Sequence, residues 1–121
     1  MLECGMRGWN SERGFHDILP GIGIKTLVNG ERSLMTKFVL RAGSELPAHE
    51  HPYEQIGYLI QGRLRLSIGE SAQEAGPGDS WCIPSGVRHR AEILEDSVAL
   101  EVFSPLREDY LKYENAENIG P

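Results

Sequence analysis

Short strand-like runs separated by glycine and proline are the feature that most restricts the fold of this chain. The runs are rich in β-branched and aromatic residues, and turn residues stand between them, as at Asn29-Gly30 and in segment 76–79. They read IKTLV, SLMTKFVLR, QIGYLIQ, RLRLSIG, SWCIP, RHRAEIL and VALEVF. Helical periodicity is nearly absent. The pattern predicts an all-β sandwich or barrel.

The one helix signal lies near the C-terminus. Ser104 and Pro105 suit an N-cap and the first helical position. Glu108 and Asp109 suit the positive end of a helix, so we predict a short C-terminal helix through about Tyr113.

Length and charge restrict the domain count and the partners. The chain has 121 residues with no repeat or linker, so we predict one domain over 1–121, with an N-terminal arm at 1–20. The net charge is -6 and the basic residues are scattered, which disfavours nucleic acid as a partner. Without a signal-peptide or membrane-span pattern, we expect a cytoplasmic protein with no membrane partner.

Neither cysteine suggests a disulfide or a thiolate site. Cys4 and Cys82 are far apart and belong to no paired motif. Cys82 stands between Trp81 and Ile83, where we expect a small buried apolar residue.

Three of the four histidines fall in two short segments. His49 and His51 are two residues apart, so on a strand both point to one face, and Gln55 keeps that parity. Glu54 has the opposite parity and is an alternative oxygen ligand only if a bulge intervenes near Pro52. His89 is expected on a neighbouring strand. We therefore predict one divalent metal on His49, His51, Gln55 and His89.

These donors leave the metal unidentified. Imidazoles with one amide oxygen are compatible with Zn, Ni, Mn, Fe and Cu. Ordinary surface or core histidines are the alternative reading, which their grouping in one framework disfavours.

The last strand-like run carries a second group of candidate residues. Ala99, Glu101 and Phe103 share one face there, and Val98, Leu100 and Val102 share the other. If the first face lines the barrel, Glu101 meets the metal pocket, and Arg107 follows at the barrel mouth. Alternation alone leaves the opposite orientation open, with Glu101 in solvent.

Two motifs resemble those of the cupin superfamily. The first runs from Gly43 to Gly62 and contains His49-x-His51, and the second runs from Gly78 to His89 and contains Pro84-x-Gly86. The resemblance covers about 31–110, the conserved barrel core. It implies a double-stranded antiparallel β-barrel of jelly-roll type with the metal inside.

The chain departs from the superfamily pattern at the oxygen ligand. Gln55 replaces the usual glutamate, and a neutral amide leaves the metal its full positive charge. Such a site favours Lewis-acid chemistry over a redox iron site, which normally has two histidines and a carboxylate.

Segments 54–62, 76–89 and 95–111 resemble a small-cupin group that includes an enzyme of pectin degradation. That enzyme converts 4,5-unsaturated uronate monomers to their ring-opened keto form. The group's Asp-x-Phe and following arginine correspond to Glu101, Phe103 and Arg107. The resemblance implies catalytic roles for Glu101 and Arg107 and substrate binding by Phe103 and Arg107.

Three classes of function therefore stand. The first is a non-redox, metal-assisted enzyme, lyase- or isomerase-like, on a small carboxylated sugar or hydroxy acid. The second is a metal-dependent dioxygenase or decarboxylase, favoured only if the metal is iron or manganese and Glu54 binds it. The third is a non-catalytic small-molecule sensor.

The run QIGYLIQ predicts a homodimer. Ile56, Tyr58 and Ile60 share one face, while Leu59 lies on the other. A strand that is apolar on both faces needs cover on both. A second subunit is the predicted cover, and the chain's own N-terminal arm is the alternative.

Overall fold

The computed structural model describes residues 7–8, 11 and 13–114, and it is built almost entirely of antiparallel strands. The strands are β1 (His16–Leu19), β2 (Ile22–Asn29), β3 (Leu34–Leu40), β4 (Glu45–His49), β5 (Glu54–Ile68), β6 (Ser71–Ala75), β7 (Ser80–Ile83) and β8 (His89–Ser104). A 3-10 helix, η1 (Glu108–Tyr113), follows. The predicted all-β jelly roll with a short C-terminal helix is confirmed.

Two long strands form the spine of the barrel. β5 and β8 pair with each other along almost their full length. The other edge of β8 pairs with β4 in its first part and with β3 in its last part. The other edge of β5 pairs with β7 and then with β6. β2 and β1 extend the sheet beyond β3. Each spine strand thus contributes to both halves of the jelly roll.

β5 changes its buried face near Gly62. Gln55 and Leu59 are buried before this point and Leu64 after it, so the inward parity switches from odd to even. The pairing with β8 is irregular between Leu59 and Leu64, as at a β-bulge. Gly62 has a φ of 101°, and a Cβ there would lie 2.0 Å from the hydroxyl of Ser97. The bulge joins two predicted strands into one.

The interior is filled by inward-facing aliphatic and aromatic residues of β2, β3, β5 and β8. Leu64 and Ile83 are buried in this interior, whereas Leu66, Ile68 and Trp81 are only partly buried. The central cluster is Ile22, Ile24, Phe38, Leu40, Leu59, Leu64, Ala75, Ala91, Ile93 and Ala99.

Part of the N-terminal segment lies over β2. The buried ammonium of Lys25 donates hydrogen bonds to the carbonyls of Ser11 (3.2 Å) and Arg13 (2.8 Å). The ring of Phe15 lies 5.8 Å from the same ammonium. This segment therefore covers the outer side of β2. None of the helices described in the structure is long and apolar enough to span a membrane.

Two local predictions are wrong. The helix begins at Glu108 rather than near Ser104, because Ser104 still pairs with Glu54 as the last residue of β8. Its hydroxyl donates to the carbonyl of Arg32 instead of capping a helix. Cys82 is exposed rather than buried, since its strand directs Ile83 inward and Cys82 outward. Cys4 lies outside the described residues.

Candidate metal centre and pocket

Three imidazoles converge at one point of the barrel. His49 is the last residue of β4, and His89 is the first residue of β8 and its register partner. His51 lies in the loop after β4, so the prediction that His49 and His51 share a strand is wrong. One ligand nitrogen from each ring lies within 4.8 Å of the others. The three histidines are thus positioned to bind a metal.

Hydrogen bonds to the backbone fix the tautomer of each ring. The Nδ1 atom of each histidine lies 2.9 Å from a carbonyl oxygen of the main chain. The carbonyls belong to Pro47, Tyr53 and Val87 for His49, His51 and His89, respectively. A carbonyl only accepts, so Nδ1 carries the hydrogen and Nε2 keeps its lone pair. Metal-binding histidines use this arrangement.

His89 gives the clearest sign that a cation fits here. Its Nε2 is buried and has no hydrogen-bond partner among the described residues. A buried polar atom without a partner is costly, and a bound metal would remove that cost. Burial lowers the pKa of both His51 and His89, and the positive charge of Arg107 lowers that of His51 further. Both rings therefore favour the neutral form that binds metals.

Gln55 lies beside His51, and a hydrogen bond to Glu101 sets the orientation of its amide. Its Nε2 donates to Glu101 at 2.9 Å, so its Oε1 faces the Nε2 of His51 at 3.0 Å. With hydrogen on the Nδ1 of His51, both facing atoms are acceptors. Two ligands about 2.1 Å from one ion and at right angles lie about 3.0 Å apart, so the pair has the spacing of metal ligands.

Glu54 points away from this cluster. It is exposed and opens β5, while the next residue, Gln55, is buried. The predicted faces of Glu54 and Gln55 agree with the structure, although a loop rather than one continuous strand connects His51 to Glu54. The condition on which the dioxygenase or decarboxylase hypothesis depended is not met in the structure.

Glu101 lies inside the barrel, which settles the choice that the sequence left open. It is 7% exposed, and its neighbours on the inner face, Ala99 and Phe103, are each 1% exposed. Its carboxylate accepts hydrogen bonds from Gln55 Nε2 at 2.9 Å and from Trp81 Nε1 at 3.2 Å. Burial raises the pKa of Glu101 to about 7, although both hydrogen bonds favour the ionised form.

Arg107 is held beside the histidines by aromatic rings. Its guanidinium carbon lies 3.7 Å from the ring centre of Tyr110, 4.8 Å from that of Phe103 and 5.3 Å from that of Tyr53. Its Nε donates to Asp109 at 3.2 Å. Within residues 13–114, its terminal Nη atoms have no hydrogen-bond partner. Stacking therefore fixes the cation and leaves its outer donors available for an anion.

One cavity connects these groups. Its polar lining contains His49, Gln55, His89, Arg90, Glu101 and Arg107, whereas His51 does not line it. Its apolar lining comprises Ile18, Phe38, Leu40, Leu46, Leu64, Leu66, Ile83, Ala91 and Ala99. Trp81 and Tyr110 also line the cavity, although the sequence did not suggest them as site residues. The sequence does contain one sign that Trp81 lies at the site. Gly57 shares the inward parity of Gln55 and has no side chain, so it leaves room for a large neighbouring residue.

Comparison with known proteins agrees with this arrangement. The structure of KdgF from Halomonas sp. is 30% identical, with a TM-score of 0.81, and the match covers 85% of this chain and 96% of that chain. "H2HPP isomerase" from Bacillus subtilis is 30% identical over 84% of this chain and 44% of its own length. "Polyketide synthase CurC" from Streptomyces cyaneus is 30% identical over 65% of this chain and 53% of its own length. The chain spans about half the length of these two curated relatives.

The family assignment follows from a match at the residues that build the barrel. The cupin domain model matches 36–104, which extends from β3 to the end of β8 and includes all three histidines of the cluster. The chain therefore belongs to the cupin domain family.

Proposed function

We propose that this cupin is a metal-dependent, non-redox enzyme that opens the ring of a 4,5-unsaturated uronate monomer. The observation that carries the proposal is that one cavity is lined by His49 and His89 of the three-histidine cluster, by the buried carboxylate of Glu101 and by the guanidinium of Arg107. The sequence resemblance at Glu101, Phe103 and Arg107 supplies the substrate class.

The charges in the pocket favour an anionic substrate. The ligands that we propose for the metal, His49, His51, Gln55 and His89, are all neutral, so the charge of a divalent ion is not cancelled by them. Arg107 adds a positive charge, and Glu101 is the only acidic side chain that lines the cavity within the described residues. A carboxylate is therefore attracted electrostatically, and the free Nη donors of Arg107 are suited to bind it.

The reaction needs one proton carrier and no co-reactant. The bond between C1 and the ring oxygen breaks as the anomeric hydroxyl loses its proton and becomes an aldehyde. The ring oxygen leaves as an enol, which becomes the ketone when a proton is added at C4. We assign the removal and return of this proton to Glu101 and the binding of the carboxylate to Arg107. A bound metal ion would supply Lewis-acid polarisation of a substrate oxygen.

The test is turnover of the unsaturated monomer. Metal is removed from the protein by chelation, and separate samples receive Zn, Ni, Mn, Fe or Cu. Loss of the ultraviolet absorbance of the double bond is followed against spontaneous opening. We expect acceleration only in metal-loaded samples. A metal-loaded protein that matches the spontaneous rate would rule out this substrate, and tight binding of the uronate without turnover would favour the sensor hypothesis instead.

A second candidate function follows from the apolar wall of the cavity. Leu40, Leu46, Leu64 and Leu66 offer no hydrogen bonds to sugar hydroxyls, but they suit a hydrocarbon ring. The same polar groups would then shift a proton in a keto acid with an apolar body. The similarity to an H2HPP isomerase favours an isomerisation of this kind. Tautomerisation of an arylpyruvate, assayed beside the uronate, distinguishes the two substrates.

We also propose a homodimer through the outer apolar face, defined as the outward residues Met35, Val39, Ile56, Tyr58, Ile60, Cys82, Val98, Leu100 and Val102. Ile56 is 50% exposed, Tyr58 46% and Ile60 42%. Of the N-terminal residues that the structure describes, Gly8, Ser11 and Arg13 lie against β2. Two copies related by a two-fold axis would bury the outer apolar face by packing sheet on sheet.

The cytoplasmic location stays a prediction.

A further inference from the structure

Trp81 contacts Glu101 across β5 at Gly57, where the strand has no side chain. Gly57 is the register partner of Trp81 on β7 and of Glu101 on β8, so it lies directly between them on the middle strand. The indole Nε1 donates to Glu101 Oε1 at 3.2 Å across this position. The contact is possible because the middle residue has no side chain.

The backbone of Gly57 does not by itself explain why glycine stands there. Its φ lies outside the positive region, so any residue could adopt this conformation. A Cβ at this position, however, would lie 2.1 Å from Trp81 Nε1 and 2.2 Å from its Cε2. Real Cβ atoms do not approach other atoms so closely. The requirement for glycine therefore comes from the indole.

The other oxygen of the same carboxylate is also held. Glu101 Oε2 accepts from Gln55 Nε2, and the Oε1 of that amide faces His51. With one N–H donor on each oxygen, the carboxylate cannot rotate without losing a hydrogen bond in a buried place. Trp81 thus fixes the orientation of Glu101 and, through it, that of Gln55.

We propose that Trp81 is a positioning residue for Glu101, acting through its indole N–H, and that Gly57 provides the space for this contact. The inference rests on the proposed function for its kinetic consequence, but the hydrogen bond and its effect on the metal ligand do not depend on the substrate. Trp81 is not assigned contact with the substrate.

The sharpest test removes the N–H without changing the shape. Trp81 is replaced site-specifically by benzothienylalanine, which carries sulfur in place of the indole N–H. We expect kcat to fall about tenfold with KM unchanged, because a hydrogen bond to a charged group is lost. Gly57→Ala should cause a similar loss by displacing the indole. Gly23→Ala is the matched control, since a Cβ there meets no atom closer than 3.6 Å.

A second readout is independent of activity. The indole N–H resonance of Trp81 should shift in Glu101→Gln and in Gly57→Ala, but not in Gly23→Ala. If the indole N–H resonance does not shift in Glu101→Gln, the proposal is overturned. Full activity of the benzothienylalanine protein would overturn it as well. If the native protein opens no uronate, the proposed function fails. The positioning role of Trp81 is then tested by the affinity of the protein for Co²⁺. Benzothienylalanine must lower that affinity several-fold through Gln55, and an unchanged affinity overturns the positioning role.

Discussion

The inner and outer faces of the two spine strands each carry residues that the usual distribution of polar and apolar side chains would place on the other face. Inside the barrel, β5 and β8 carry Gln55 and Glu101, both buried. Outside, β5 carries Ile56, Tyr58 and Ile60, each more than two-fifths exposed. An antiparallel sheet with one solvated face normally shows the opposite pattern. These buried polar and exposed apolar residues indicate that both faces serve contacts other than packing within the chain.

Buried polar groups on the inner face and exposed apolar groups on the outer face both cost free energy, and the two faces differ in how this cost is offset. On the inside, buried polar groups such as Glu101 have partners in Gln55 and Trp81, whereas among the described residues the Nε2 of His89 has no partner and the Nε2 of His51 faces another acceptor. Within the described residues, nothing covers the outer apolar face. The inner face is thus suited to bind a cation and a small molecule, and the outer face is suited to contact another protein surface.

The largest effect is expected at the histidine cluster. His89→Ala removes a proposed ligand, so metal affinity should fall at least about a hundredfold, beyond the usual loss for a residue that only orients a ligand. The barrel should stay folded, because one core-edge substitution costs typically about 1 kcal/mol. Metal analysis and thermal unfolding measure the two effects. His16→Ala is the control, as that histidine is exposed on β1. Full occupancy in His89→Ala would contradict the assignment.

The next largest effect is expected at Glu101. Glu101→Gln keeps the size of the side chain but removes its ability to accept a proton, so turnover should fall about a hundredfold or more while metal stays bound. Glu101→Asp restores a carboxylate and should recover part of the rate. Steady-state kinetics on metal-loaded protein measure both. An unchanged rate in Glu101→Gln would show that another group carries the proton, even if the substrate is right.

Local patterns predicted the site better than they predicted the path of the chain. Alternation put Glu54 and Gln55 on opposite faces, because both belong to β5, but the parity that placed Gln55 inside was counted from His51, which lies in a loop. It could not choose between the faces of β8, since Val98, Leu100 and Val102 are as apolar as a core. Only the pairing with β3 and β5 fixes that choice, and such pairing joins residues distant in sequence.

The errors have similar causes. Ser104-Pro105 carries a local helix signal, but pairing with Glu54 keeps Ser104 in the sheet. His51 reaches the cluster from a loop, because β4 ends at His49. The contact of Trp81 with Glu101 crosses a third strand at Gly57, and a register of three strands is not readable from one segment. Long-range pairing, rather than propensity, decided each of these cases.

A smaller effect is expected at Arg107. Arg107→Gln removes the positive charge and its free donors, so KM for a carboxylated substrate should rise about tenfold, the cost of one charge-assisted hydrogen bond. The change in kcat should be small, because Arg107 is assigned binding rather than proton transfer. Arg63→Gln is the control, since Arg63 forms an exposed ion pair with Glu74. An unchanged KM would remove Arg107 from the substrate-binding role.

The smallest effect on catalysis, and the clearest on assembly, is expected at the outer apolar face. Replacing Ile56 and Tyr58 together by lysine places two charges where a second copy would pack. The native protein should be a dimer at micromolar concentration by light scattering, and this variant should be a monomer. Its pocket residues face the other side of the same strands, so turnover per subunit should be nearly retained.

The control for this experiment is Leu94→Lys. Leu94 is 41% exposed but lies outside the outer apolar face, so the control protein should remain a dimer. Association also makes the melting temperature of the native protein rise with its concentration, which the double variant should not show. A native protein that is monomeric, or a double variant that stays dimeric, would contradict the proposed interface. In the second case a different surface joins the subunits, and the apolar residues outside β5 need another explanation.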